Sequence, residues 1–451
     1  MEIRVNCKKD EGDNAENDRV LRIFPPDWAQ KQEKYSENGL AILAGRLYNI
    51  GIIFLGGEPE MKKVFALVLA FAMMLSCAAF AEDVVKIGVF EPASGDNGAG
   101  GKQEVIGIEY ANSIVPTVTV GGKEYKVELV IVDNQSATDK AVTAAQTLVG
   151  SGVSIVLGSY GSGVSMAGGE VFAQAGVPAI GCSCTNPGVT SLCDWYWRIC
   201  FLDPFQGTVM ANFAMQEKGA KTAYVLTQLG DDYSTGLGFY FQKAFEEMGG
   251  AVVAENFPEG TSDFTAYLNN AINSGAEVVF APTSTTSASL IIDQAASMSV
   301  PFALMAGDTW ESSVILEATK GTSLEVYCST FFDERDESST VAADFVSGFK
   351  AWLNANPDKL TNNGGNDIVA AVSALGYDAY MTAIEAIKAA DSVDPAAIAA
   401  ALPGTTCDGV TGSIAFDEIG DAKKDMAYIK QANAETGEFD FVKTQTVAEL
   451  G

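Results

Sequence analysis

From Val84 onward, short β-branched runs alternate with stretches of helical spacing, and the alternation starts afresh after Asp203-Pro204. The first half reads as strand Val84 to Phe90, helix Val105 to Ser113, strand Tyr125 to Asp133, helix Ala141 to Gly150, strand Ser154 to Gly158, a helix ending near Gly176 and strand Val177 to Gly181. Strand-helix-strand units of this length close only as a parallel sheet with helical crossovers. The second half repeats the scheme: helix Phe205 to Lys218, strand Ala223 to Thr227, helix Thr235 to Met248, strand Val252 to Phe257 and a helix from Phe264. Strand Glu277 to Ala281, helix Ser287 to Met298, strand Phe302 to Gly307 and strand Leu324 to Phe332 complete it. Two long helical stretches follow, Val341 to Asn354 and Asn366 to Ala390, and they suit a chain that returns to the first unit. The segment Gly412 to Asp421 then crosses again. The expected fold is α/β, with two doubly wound parallel-sheet lobes joined by a three-segment hinge. Lobe 1 takes residues 84–203 and 333–410, and lobe 2 takes 204–332 and 411–451.

Charge and histidine usage narrow the chemistry. The 451 residues are 47% apolar, enough for two cores, and carry 28 basic against 58 acidic side chains, a net charge of −30. No basic patch of the size a nucleic acid requires can be assembled from such a composition. Histidine is absent, which removes the commonest general base, the imidazole zinc ligands and a Ser-His-Asp triad. Neither an enzyme, a metal site nor a cofactor is implied. Gly95 to Lys102 has the wrong glycine spacing for a phosphate loop, with Gln103 where serine or threonine is needed. The sequence around Ser183 lacks the last glycine of a nucleophile elbow.

An export signal stands inside the chain. Met61-Lys62-Lys63, the apolar run Val64 to Leu75 and Ala79-Phe80-Ala81 have the order of a signal peptide over 61–81, with cleavage expected after Ala81. Cys77 offers a lipid-anchor alternative, against which Met74 stands where a lipobox has leucine. Residues 1–60 read as a spurious extension from an upstream start codon. Six cysteines follow the signal: Cys182, Cys184, Cys193, Cys200, Cys328 and Cys407. Cys193 and Cys200 are near enough in sequence to bridge, but six cysteines permit fifteen pairings, and structural or free thiols are the expectation.

In open parallel sheets ligands gather at the carboxyl ends of strands, where glycine-rich turns feed helix N-termini. Four turns qualify: Ala93 to Gly101, Ser159 to Gly163, Ser183 to Gly188 and Gly307 to Ser312. Hydroxyls and N–H donors in the first three suit a carboxylate, and Asp308 in the fourth suits an ammonium group. Together that is the chemistry of an amino acid. Ser162, Thr185 and Asp308 also fit as helix caps, and Tyr233 and Trp310 as partly buried aromatics.

Four blocks carry a resemblance: KIGVFEPASGDNGAGGKQEVIGIEYA, GVPAIGCSCTNPGVT, RICFLDPFQGTVMANF and MAGDTWESSVILEATKG. Between about Val85 and Asp421 the chain resembles the leucine/isoleucine/valine-binding family of bacterial substrate-binding proteins, which serve ABC importers. The resemblance implies the type I periplasmic binding fold, a cleft that closes like a jaw, an exported monomer at the periplasm or cell surface, and permease subunits as partners. A sensory receptor component for amino acids or small amides is the alternative. It further implies that Ser162 binds the ligand carboxylate with Gly163 also in the ligand site, that the Cys184 carbonyl and Thr185 hydroxyl meet the α-amino and carboxylate groups, that Tyr233 lies in the cleft, and that Asp308 pairs with the α-ammonium. Gly100 and Ser284-Thr285 replace pocket tyrosines of some members, and Gly161 a cysteine. The side-chain pocket is expected to be reshaped and refilled by Trp310 or Tyr160.

Overall fold

The computed structural model describes residues 83–335 and 339–446. The expected signal 61–81, Cys77, the extension 1–60 and residues 447–451 lie outside them. The first part of the chain runs β1 (Val84–Glu91), α1 (Gly98–Ile114), β2 (Thr117–Val120), β3 (Lys123–Asp133), α2 (Thr138–Gly150), β4 (Ile155–Leu157), α3 (Ser162–Ala175), β5 (Ala179–Gly181), α4 (Gly188–Ser191) and β6 (Tyr196–Arg198). These strands form one sheet in the order β2-β3-β1-β4-β5-β6. All neighbours are parallel except β2 and β3, whose hairpin turns on Gly121 and Gly122, both at positive φ. Because helices cover both faces, the inner strands are apolar throughout: Ile87 and Val89 of β1 and all of β4 are buried.

The second part runs α5 (Asp203–Gln216), β7 (Thr222–Gln228), α6 (Asp232–Glu247), β8 (Ala251–Phe257), α7 (Thr265–Asn273), β9 (Val278–Phe280), α8 (Thr285–Met298), β10 (Ala303–Ala306), a 3-10 turn over Asp308–Trp310, α9 (Ser313–Thr319) and β11 (Val326–Thr330). The chain then adds α10 (Thr340–Ala355), α11 (Pro357–Asn362), α12 (Ala371–Ala390), α13 (Pro395–Ala401), the hairpin β12 (Thr406–Gly409) and β13 (Gly412–Ala415), and finally β14 (Met426–Ala432) and β15 (Phe439–Thr446). The second sheet has the order β15-β14-β11-β10-β9-β7-β8, with β14 and β15 antiparallel at its edge. In each sheet the first strand is flanked by the two that follow in the parallel order, β3 and β4 about β1, β8 and β9 about β7. That places a topological switch point, and a crevice, at the carboxyl end of each.

Helix α12 rejoins the first sheet's layer through close backbone approach. A Cβ on Gly107 of α1 would lie 2.0 Å from the Ser373 carbonyl, and one on Gly376 2.3 Å from that of Glu104, so only glycine lets these helices meet. Tyr110 then meets Phe345 and Phe349 edge-to-face and stacks on Tyr377, which seats α10 on the same layer. The chain thus passes between the sheets three times, after β6, after β11 and before β14. The last passage is later than the sequence suggests. Val410 and Thr411 donate their N–H groups to Asp378 of α12, and Asp421 lies beside Arg198 of β6, so residues 411–421 stay with the first lobe and the second sheet is entered only at Met426.

Other expectations shift as well. Helix α1 begins at Gly98, so the last four residues of the glycine-rich turn, Gly98 to Gly101, are its first turn. Strands β2, β6, β14 and β15 go beyond the alternating pattern. All six cysteines are free thiols, and β6 separates Cys193 from Cys200.

Candidate ligand site between the lobes

On the first lobe the site is built from the turns after β1, β4 and β5. Ser162, the first residue of α3, is buried and its hydroxyl accepts the Asn186 N–H at 3.2 Å, which ties the helix start to the turn 183–186. That turn is anchored from behind by Arg198. Its guanidinium donates to the carbonyls of Cys184 (2.9 Å) and Asn186 (2.5 Å), to Thr190 Oγ1 (3.1 Å) and twice to Asp421 Oδ1 (2.8 and 2.6 Å). The Cys184 carbonyl, expected to face a ligand, is therefore occupied by Arg198, and the Cys184 thiol packs under Gly181. Thr185 Oγ1 is buried and faces the Asp203 carboxyl, and neither group has any other partner.

On the second lobe Asp308 opens the 3-10 turn after β10. It is 2% exposed, and its Oδ1 accepts from Gln206 Nε2 (2.9 Å) and from the Tyr233 hydroxyl (3.1 Å). Gly307 makes this possible, since a Cβ there would lie 2.6 Å from the Tyr233 hydroxyl and 2.9 Å from Gln206 Nε2. Burial raises the Asp308 pKa to about 6, against the pull of the Gln206 and Tyr233 bonds.

Tyr160 takes the space that Gly100 leaves. A Cβ on Gly100 would sit 2.4 Å from its ring, so the tyrosine lies over the start of α1. Trp310 does not share that space. It is fully buried in the core of the second lobe, with its indole N–H directed at Thr283 Oγ1 (3.4 Å). Ser284 is the N-cap of α8, accepting from Ser287 N, and Thr285 reaches across to the first lobe. The lobes meet at two rims. Asp96 O accepts from Thr285 Oγ1 (2.8 Å) and from the Thr286 N–H and hydroxyl (3.3 and 3.2 Å). At the other rim Asn186 Nδ2 donates to Asp232 O (2.8 Å), and Gly163 faces the Asp232 carboxylate so closely that a Cβ would be 2.8 Å from it.

The carboxyls between these rims do not announce themselves in the sequence. Glu104 follows Gly100 by four residues on the same face of α1 and is fully buried, with only Glu91 and Ser183 facing its carboxyl. Burial raises its pKa to about 8; Asp203 is likewise raised to about 8, and Glu91 is raised by burial and by its neighbour Glu104. The i, i+4 spacing of Gly100 and Glu104 is the signal that could have found it. Asp203 reads in the sequence only as a lobe boundary, although a buried acid at the first position of α5 is also a site candidate.

Two sheets, each with its crevice at the switch point, and two rims closed over buried carboxyls and hydroxyls define a protein that binds between hinged lobes. The chain belongs to the periplasmic binding protein family, whose model matches residues 84–436. It is 28% identical over 372 residues to Leu/Ile/Val-binding protein homolog 1 of Brucella abortus (strain 2308), covering 80% of this chain and 94% of that one. Among solved structures it resembles the leucine-binding protein LivK of Thermotoga maritima (TM-score 0.73, 31% identity, 81% of this chain and 100% of that one). It also resembles the branched-chain amino acid transporter substrate-binding protein LivJ of Streptococcus pneumoniae, in complex with isoleucine (TM-score 0.71, 26% identity, 81% and 99%).

Proposed function

We propose that the protein is an extracytoplasmic receptor that captures an amino acid by closing its two lobes and delivers it to the permease of an ABC importer, acting by binding and not by catalysis. The observation that carries this reading is the pairing across the cleft: N–H donors and hydroxyls at Ser162 and Thr185 on one lobe, and Asp308 held by Gln206 and Tyr233 on the other. The first set suits an α-carboxylate at a helix start, and Asp308 suits an α-ammonium. Gly163 and Tyr233 complete the two walls. Lobe 1 in this reading takes 84–202 with 333–421, and lobe 2 takes 203–332 with 426–446.

Export rests on the signal pattern of 61–81 and on the family; among the described residues no helix is long and apolar enough to cross a membrane. Closure follows from differential contact. A ligand bridging both lobes binds the closed state better than the open one, and moving a population from 1:99 to 99:1 requires about 5.5 kcal/mol of preference. Two or three charge-assisted hydrogen bonds at roughly 1.5–3 kcal/mol each supply it. Calorimetry of the ligand-stripped protein against amino acids tests the proposal. Asp308→Ala is expected to weaken binding of α-amino acids about 100-fold or more, about 2.7 kcal/mol, with the fold intact by circular dichroism; unchanged affinity would remove Asp308 from the site.

A further inference from the structure

An α-ammonium answers Asp308, and an α-carboxylate answers the donors at Ser162 and Thr185, yet neither accounts for Glu104. Its carboxyl has Glu91 on one side and the Ser183 hydroxyl on another, and it lies within electrostatic reach of Asp308 from the opposite lobe. Glu91 spends one oxygen on the Tyr160 N–H (2.8 Å) and turns the other towards Glu104, so the two carboxyls can share a proton, and beyond that pairing the Glu104 carboxyl has no well-formed hydrogen bond. Ser183 Oγ beside it forms no other hydrogen bond, and in the opposite lobe Gln206 Oε1 is unpaired while its Nε2 holds Asp308 and Ser329. A buried polar atom left without a partner is costly, so such a cluster persists where something else supplies the missing bonds.

The missing bonds are of one kind. Carboxyl and amide oxygens dominate the set, and with one proton shared between Glu91 and Glu104 the acceptors left over still outnumber the donors. Room for a hydrocarbon side chain is meanwhile reduced, because Tyr160 covers Gly100 one turn ahead of Glu104 on the same helix. Building on the amino-acid reading above, we infer that the cleft is made for an amino acid whose side chain ends in hydrogen-bond donors, an amide or an ammonium group, bonded by Glu104, and not for a branched hydrocarbon. A site built around such a donor rejects the isostere that lacks it, because its own acceptors are then left unpaired.

Isosteric pairs separate this inference from the reading beneath it. Ligand-stripped full-length protein is titrated calorimetrically with alanine, with asparagine against leucine, and with 2,4-diaminobutyrate against norvaline. The donor-bearing member of at least one pair is expected to bind at least tenfold tighter, about 1.4 kcal/mol. Glu104→Leu is expected to erase that preference while alanine binding persists. Glu104→Gln, which keeps the shape and hydrogen-bonding capacity of the side chain, is expected to reduce it for the ammonium ligand more than for the amide. Leucine and norvaline each binding as tightly as its polar partner, or a preference that survives in Glu104→Leu, overturns the inference and leaves the amino-acid reading standing. Absence of binding by every amino acid tested, alanine included, overturns both.

Discussion

Arg198 and Glu104 are both fully buried, yet the guanidinium makes five hydrogen bonds and the carboxyl faces only Glu91 and Ser183. The same contrast separates the regions they belong to. Near the passages between the lobes, charges are matched: Arg198 with Asp421, and Lys430 with both Glu311 and Asp333. Glu311 also accepts the Thr330 hydroxyl at 2.7 Å and the Ala371 N–H at 3.0 Å, where the start of α12 favours a negative group. In the cleft, Glu104 faces only Glu91 and Ser183, and Asp203 only Thr185, with no cation paired to either acid among the described residues. Among these charged groups burial alone does not distinguish structure from function; the presence of an opposite charge does. A closed network fixes how the chain crosses, and an open one is reserved for a partner that arrives later.

Breaking the closed network is expected to have the largest effect. Arg198→Ala strands the Asp421 carboxylate and releases the Cys184 and Asn186 carbonyls in a dry interior, a class of change that costs about 3–5 kcal/mol. Glu104→Gln replaces a side chain that burial already keeps protonated at neutral pH with a near-isostere, and its effect is expected to stay within about 1 kcal/mol. Urea unfolding of both variants without ligand decides the matter. Equal losses would mean that the cleft carboxyls are structural after all.

The second effect is on pH, and its sign follows from the raised carboxyls. Glu104 and Asp203 at about 8 and Asp308 at about 6 hold protons in the native state that the unfolded chain, near 4.5 and 3.8, has released. Native protein binds more protons than unfolded protein over this window, so stability without ligand rises as pH falls from about 8 towards 5. Asp333 works in the opposite sense. Burial opposes its ionisation, but Arg335 and Lys430 hold it down to about 2, and its stabilisation is lost only below the unfolded value near 3.8, outside that window. Thermal melts are expected to show a higher Tm at pH 5.5 than at pH 8. Amino-acid affinity is expected to move the other way, weakening below about pH 6 as Asp308 takes up its proton. Parallel trends would contradict the division between paired and unpaired charge.

Both sheets are legible in the order of residues along the chain, because parallel strands buried on both faces must be apolar runs, and β1 and β4 are. The edges are harder. Strands β14 and β15 have mixed burial, and β6 is three residues long within a segment that draws the eye to its cysteines. The hairpin of β2 and β3 has its signal in Gly121-Gly122, a two-residue turn that is easily missed beside the longer alternation. In the candidate site, Asp308 and Ser162 stand at strand-to-helix turns that topology singles out, whereas Tyr233 enters only through the family resemblance. Trp310 and Ser284 stand at similar turns, and only packing shows that one belongs to a core and the other to a cap. Glu104 hides inside a helix, where a glutamate reads as solvent-facing until the glycines around it reveal how closely the neighbouring elements approach.

The smallest effect concerns the rim, where the two lobes supply each other's missing partners directly. Thr285 Oγ1 donates to Asp96 O only when the lobes are together, so it favours closure without contributing to either lobe alone. Valine at 285 removes that donor and keeps the shape, and Asp96 O still receives the Thr286 N–H and hydroxyl. One neutral hydrogen bond is worth about 0.5–1.5 kcal/mol, roughly two- to tenfold. Thr285→Val is therefore expected to speed ligand release by about that factor in stopped-flow fluorescence, with the association rate and the unfolding free energy without ligand little changed. A loss of stability in place of faster release would place Thr285 with the matched charges of the hinge, and the rim would then belong to the framework and not to the closing motion.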